Sequence, residues 1–194
     1  MRARDNPFRS ERVLSLRYRL GGSWDALLVR FERLGRRAAI VGPHGSGKTT
    51  LLEDLAPRLG AAGFTPRTLR LDTETPRFEP AFLDGFFASL GPRDIILFDG
   101  AEQLGALAWH RFERRSRAAA GLLVTTHRPG RLPTLVETST TPELLESLVA
   151  QILGDPAPEL RPMMPALYER HRGNLRDALR ELYDWYAAVQ VETT

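Results

Sequence analysis

The sequence predicts an α/β fold in three layers, a central, mostly parallel sheet between helices, followed by a small C-terminal helical subdomain. Three observations predict it. Short apolar runs suited to strands alternate with longer segments whose apolar residues recur at helical spacing. A glycine-rich turn from Gly42 to Thr49 joins the run Ala38 to Val41 to the helix that follows. After Thr141 the strand patterns stop and only helical ones continue. The expected division is residues 1–140 for the α/β domain, including an N-terminal arm, and 141–194 for the helical part.

Residues 1–12 read as a polar arm in which Pro7 and Phe8 could dock on something. Leu14, Leu16, Tyr18 and Leu20 alternate with polar residues, which predicts a strand from Val13 to Leu20 with one wet face. Ser23 is a good N-cap for a helix to Leu34, on which Trp24, Leu27, Leu28, Phe31 and Leu34 form one stripe. The buried strand Ala38 to Val41 and the glycine turn come next. The helix after the turn carries Leu51, Leu52 and Leu55, and Pro57 should kink or end it.

Thr68 to Leu71 reads as a strand, Asp72 to Arg77 as a polar connection, and Glu79 to Leu90 as a helix with Phe82, Leu83, Phe86, Phe87 and Leu90 on one face. Ile95-Ile96-Leu97-Phe98-Asp99 is a continuous apolar run ending in a carboxylate, which suits a central strand buried on both faces. A helix from Glu102 to Ala119, a strand from Gly121 to Thr126 and a short strand Thr134 to Glu137 complete the domain. Thr141 and Pro142 open a helix to Leu153, Gly154 to Pro158 form a linker, and further helices run from Met163 to His171 and from Asn174 onward.

Composition bounds the function. The 194 residues, 42% apolar, can bury a real core, and the net charge of +3 is modest. The pI of 9.8 mostly reflects arginine and is weak support for a nucleic-acid partner. With no cysteine there is neither a disulfide framework nor a thiolate metal site. No run approaches the roughly 18 apolar residues of a membrane span, so the expected place is the cytoplasm, with no membrane partner.

The chemistry begins at Gly42-Pro43-His44-Gly45-Ser46-Gly47-Lys48-Thr49-Thr50, which contains G-x-x-x-x-G-K-T. This is the P-loop pattern, and it predicts a three-layer P-loop NTPase. Its glycines let backbone N–H groups curl around a triphosphate, and the helix that starts there adds the positive end of its dipole. Lys48 can reach the β- and γ-phosphates of ATP, and Thr49 can ligate Mg²⁺. Of 27 basic residues Lys48 is the sole lysine, at the one position where a forked guanidinium would not fit the cage.

Asp99, ending a buried strand about 50 residues later, is placed to meet Thr49 and hold the metal through water. Hydrolysis also needs a group that orients the attacking water. Position 100, where many such ATPases carry glutamate, is Gly100, and the nearest acid is Glu102. Thr125 and Thr126 end the next strand, and Thr126 is the candidate to report the γ-phosphate, with His127 beside it. In HRGNLRDAL, Asn174 caps the last helix and Arg176 lies in its first turn, where a cation opposes the dipole by roughly 0.3–1 kcal/mol unless a phosphate is near. His110, Arg111, Arg114, Arg115 and Arg117 form a basic face that could contact DNA or an acidic protein. The four histidines show no metal-ligand spacing.

GPHGSGKTTLL, ILFDGAEQL, LLVTTHR and GNLRDAL, in that order, resemble the Walker A, Walker B, sensor 1 and sensor 2 segments of AAA+ ATPases, most closely the compact origin-recognition and transposition-helper kind. The resemblance spans residues 6–190, and its first motif is the specific one. It implies Lys48, Thr126 and Arg176 as catalytic residues, Arg176 acting as sensor 2 from a helical lid, with Glu102, read from its place after Asp99, as the fourth. It also implies that the Asn6-Pro7-Phe8 arm and the helix after Ser23 border the adenine. The sequence departs from the family at Gly100 and in the short connection from Thr126 to Thr134, which leaves Arg128 and Arg131 as the finger candidates. The expected function is a slow Mg²⁺-dependent ATPase or a nucleotide-driven switch. The alternatives are a non-hydrolysing nucleotide sensor or a small-molecule kinase. GTP specificity through an N-K-x-D element is excluded by the single lysine.

Overall fold

The computed structural model describes residues 6–9, 13, 18, 21–154 and 160–192. Apart from Val13 and Tyr18, the expected strand Val13 to Leu20 lies outside the described residues, as does the linker after Gly154. The chain separates into two compact units. One comprises Tyr18–Gly42 and Gly47–Thr138; the other comprises Ser139–Thr194, Pro43–Ser46 and the residues before Tyr18.

The first unit is a five-stranded sheet with helices on both faces. In order it runs α1 (Trp24–Arg33), β1 (Arg37–Val41), α2 (Lys48–Ala61), β2 (Thr65–Arg70), α3 (Pro80–Ala88), β3 (Asp94–Asp99), α4 (Ala106–Arg115), β4 (Gly121–Thr126) and β5 (Thr134–Glu137). The strands lie in the order β2-β3-β4-β1-β5, and every pairing is parallel. All five carboxyl ends therefore fall on one edge. The edge strand β2 tolerates Pro66, whose missing N–H a central strand could not spare.

Strand side chains alternate between two cores, as a period of two demands. Ala38, Ile40, Ile95, Leu97 and Leu123 pack with Leu51, Leu52, Leu55 and Leu59 of α2 and with Leu27 and Phe31 of α1. Ala39, Val41, Ile96, Phe98, Leu122 and Val124 pack on the other side with Phe87 of α3 and Phe112 of α4. α1 begins as expected, with Ser23 Oγ accepting from Ala26 N–H at 3.1 Å.

Two helices differ from expectation. α2 passes through Pro57 and ends only at Ala61. Pro57 sits on the exposed side of the helix, where the carbonyl it leaves without a partner can meet water, while Leu55 and Leu59 on either side are buried and hold the helix to the sheet. The expected helix Glu102 to Ala119 is broken. A 3-10 turn covers Ala101–Gln103, the backbone is extended at Leu104 and Gly105, and α4 then ends in a second 3-10 turn, Ser116–Ala118. The extension lets Leu104 drop into the core, 8% exposed, and places Gly105 as the helix cap.

The second unit is helical. α5 (Pro142–Leu153) is capped by Thr141, whose hydroxyl accepts from Leu144 N–H at 3.1 Å. α6 (Met164–Arg170) and α7 (Leu175–Glu192) follow, and Leu145, Val149, Leu167, Leu179 and Leu182 form the core between the three. Phe8 joins that core, 2% exposed and edge-on to Tyr186 at 6.1 Å, and Asn6 Nδ2 donates to the Tyr183 carbonyl at 2.9 Å.

Candidate functional site

The carboxyl ends of β1, β4 and β3 lie side by side, in that order, so residues at the three strand ends meet without any long-range coincidence. The end of β1 is held on both flanks. Gly42 N–H donates to the Thr126 carbonyl at 3.1 Å, and Thr138 N–H donates to the Val41 carbonyl at 2.7 Å. From that fixed point the chain turns through Pro43–Ser46 into α2.

α2 starts at Lys48 with Gly47 as its cap; no side chain caps it and no acid lies in its first turn. A helix start of this kind, with no side chain competing for it, suits an anion. Lys48 is buried, 8% exposed, and its Nζ donates to the Gly42 carbonyl at 2.9 Å, which folds the side chain back over the turn that precedes it. Ser46 is buried and its Oγ donates to the Pro43 carbonyl at 2.8 Å, bracing the turn from within; Pro43 and His44 are exposed.

Thr49 Oγ1 donates to Asp99 Oδ2 at 3.0 Å, so the second residue of α2 and the last residue of β3 meet. The other carboxylate oxygen, Oδ1, accepts from Thr125 Oγ1 at 2.7 Å, and Arg70 Nε lies 3.8 Å from Oδ2. Two hard oxygen donors side by side at the head of an uncapped helix fit Mg²⁺. Among the described residues no group of three or more His, Cys, Asp or Glu side chains could hold a metal by itself. Any metal held here would therefore need oxygens from a ligand or from water.

Sequence reasoning favoured Thr126 over Thr125. Strand parity reverses their order with respect to Asp99. Phe98 pairs with Val124, so Asp99 faces Thr125, and both lie on the α2 side with Leu97 and Leu123. The signal was present in the sequence as Leu97-x-Asp99 and Leu123-x-Thr125. Thr126 Oγ1 donates instead to the Arg128 carbonyl at 2.9 Å.

Gly100 explains the missing glutamate. Its φ is +85°, and a Cβ there would lie 2.0 Å from the Leu71 carbonyl oxygen. No side chain fits. Glu102 sits in the 3-10 turn that follows, and its Oε1 lies 3.1 Å from His127 Nε2. Arg131 donates to the Leu104 carbonyl and lies over the Trp109 ring at 4.9 Å, so it is committed to its own unit. Burial lowers its pKa, and the charge of Glu102 opposes that shift.

No family model and no curated protein matches the chain. Two solved structures of single-residue variants of RuvB from Thermotoga maritima are similar to it in fold. One superposes with a TM-score of 0.53 at 19% identity over 80% of this chain, the other with 0.50 at 16% over 81%. The chain shares the α/β fold of those structures over about four-fifths of its length. The chain spans 58–60% of the length of those RuvB chains.

The helical unit carries the remaining candidate. Asn174 Oδ1 accepts from the N–H groups of Arg176 at 3.2 Å and Asp177 at 3.4 Å, and its Nδ2 donates to Asp177 Oδ2 at 2.5 Å. Arg176 is exposed in this first turn. Gly45, in the same unit, has φ +70°, and a Cβ there would lie 1.9 Å from Asn174 Oδ1 and 2.9 Å from Leu175 N. The cap of α7 therefore presses directly on the turn residue Gly45.

Proposed function

We propose that the protein binds ATP with Mg²⁺ at Gly42 to Thr50 and works as a slow ATPase or a nucleotide-driven switch. The observation that carries this reading is the 3.0 Å contact between Thr49 and Asp99, which joins the head of the uncapped helix to the carboxylate of the neighbouring sheet edge. The amides of the turn and of the first turn of α2 would receive the phosphates. Lys48 would exchange the Gly42 carbonyl for phosphate oxygens. Thr49 and Asp99 would hold the Mg²⁺, which neutralises charge that builds on the phosphates. Arg176 would respond to the γ-phosphate, Thr125 would orient Asp99 toward the metal, and Glu102 would orient water. The exposed arginines of α4 suit an acidic partner, DNA or protein.

Gly100 favours one second reading, a nucleotide sensor that does not hydrolyse, because the position that usually orients water cannot carry a side chain. Titration of a fluorescent ATP analogue with Mg²⁺, beside phosphate release, tests both. Lys48→Ala should weaken binding by at least about 30-fold, since a charge-assisted contact to phosphate is lost. Equal binding by Lys48→Ala and the parent would remove the proposal. Tight binding with no release selects the sensor.

A further inference from the structure

We propose that His127 is a positioning residue: through Nε2 it holds the Glu102 carboxylate at the carboxyl edge of the sheet, where Glu102 activates the water that position 100 cannot. This rests on the ATP-binding reading above.

Gly100 is closed to any side chain by the Leu71 carbonyl, so the chain must find its base elsewhere. Immediately after Gly100 the 3-10 turn Ala101–Gln103 brings Glu102 back beside the sheet edge. His127 is the first residue after β4, the strand next to β3, so the two side chains leave adjacent strand ends on the same edge. They meet at 3.1 Å with their side chains 25% and 27% exposed. That is too buried for a freely rotating surface pair and open enough for a water to approach.

The same short connection from His127 to Pro133 supplies Arg131, whose charge also interacts with Glu102 and whose guanidinium is fixed by the Leu104 carbonyl and the Trp109 ring. Glu102 is thus bracketed by two residues of one connection. A glutamate alone would have several rotamers to lose before it could act, and each loss raises the barrier. The bracket removes that cost before nucleotide arrives. In the step, the water oxygen bonds to the γ-phosphorus as the bond from that phosphorus to the β–γ bridging oxygen breaks. The electron pair leaves with ADP, and the water proton passes to the Glu102 carboxylate.

The test uses the full chain with Mg²⁺ and ATP, measuring the Kd for nucleotide, the kcat and KM of phosphate release, and thermal melting. The variants are Glu102→Gln, His127→Ala, His127→Gln and Lys48→Ala. Glu102→Gln and His127→Ala should bind ATP within about threefold of the parent yet release phosphate about 10- to 100-fold more slowly, a loss in kcat. His127→Gln keeps an N–H donor and should recover most of the rate. Turnover by His127→Ala at the parent rate overturns the inference, as does a change confined to KM, a failure of His127→Gln to recover rate while folded, or a parent that binds ATP and releases no phosphate. If the parent does not bind ATP, or Lys48→Ala binds it equally, the underlying reading falls with it.

Discussion

Thr125 Oγ1 donates to Asp99 Oδ1 at 2.7 Å and accepts from Gly100 N–H at 2.8 Å. One hydroxyl therefore orients the carboxylate that faces Thr49 and also satisfies the first amide beyond β3. Both groups lie in the interior edge of the sheet, where Thr125 is 1% exposed and an orphaned donor has no water to turn to.

Thr125→Val keeps the shape and removes both bonds. It should destabilise the protein by about 1–3 kcal/mol in urea denaturation. It should also weaken Mg²⁺-dependent ATP binding, because Asp99 is released to rotate. Thr125→Ser should restore both. A valine variant that matches the parent in denaturation midpoint and in the Mg²⁺ dependence of binding would show that Asp99 is oriented by other means.

Gly100→Ala meets two obstacles at once, a left-handed backbone and the Leu71 carbonyl oxygen 2.0 Å from the new methyl carbon. The loss should exceed about 2 kcal/mol, since β2 and β3 must part for the methyl to enter. Chemical denaturation measures it directly. A loss under about 0.5 kcal/mol would mean that the strand ends yield easily, and position 100 would then no longer be closed to glutamate.

Tyr18 packs beside Gly47, its ring 3.1 Å from where a Cβ on that residue would lie. Burial raises its phenol pKa above the usual 10.0. The folded chain then holds this proton more tightly than the unfolded chain. The stabilisation is fully present below the unfolded value and is lost as pH rises through the folded one. Denaturation midpoints measured at about pH 8 and about pH 10.5 should fall more for the parent than for Tyr18→Phe, across the range where tyrosine titrates. Equal falls would assign the alkaline loss to other groups.

The sheet was legible because its strands are continuous apolar runs, Ile95 to Phe98 above all, and because G-x-x-x-x-G-K-T constrains what precedes and follows it. Thr49 meeting Asp99 was legible for the same reason. Thr125 was readable from strand parity, but attention to the last strand residue favoured Thr126. The obstruction at Gly100 was not readable, since it arises from the carbonyl of Leu71, just past the end of β2 and some thirty residues away in sequence, which no local pattern announces. Nor was the continuity of α2 through Pro57, which depends on which face of the helix the sheet leaves to water. The break after Gln103 was hidden because Leu104 fits a helical stripe as well as an extended drop into the core.

Asn174 Oδ1 occupies the volume that any side chain at Gly45 would need, and that same oxygen receives the first amides of α7. The turn and the helix cap are consequently engaged like a pawl on a tooth. Any residue larger than glycine at position 45 would have to displace that carboxamide, so the conformation of the turn and the capping of an eighteen-residue helix stand or fall together.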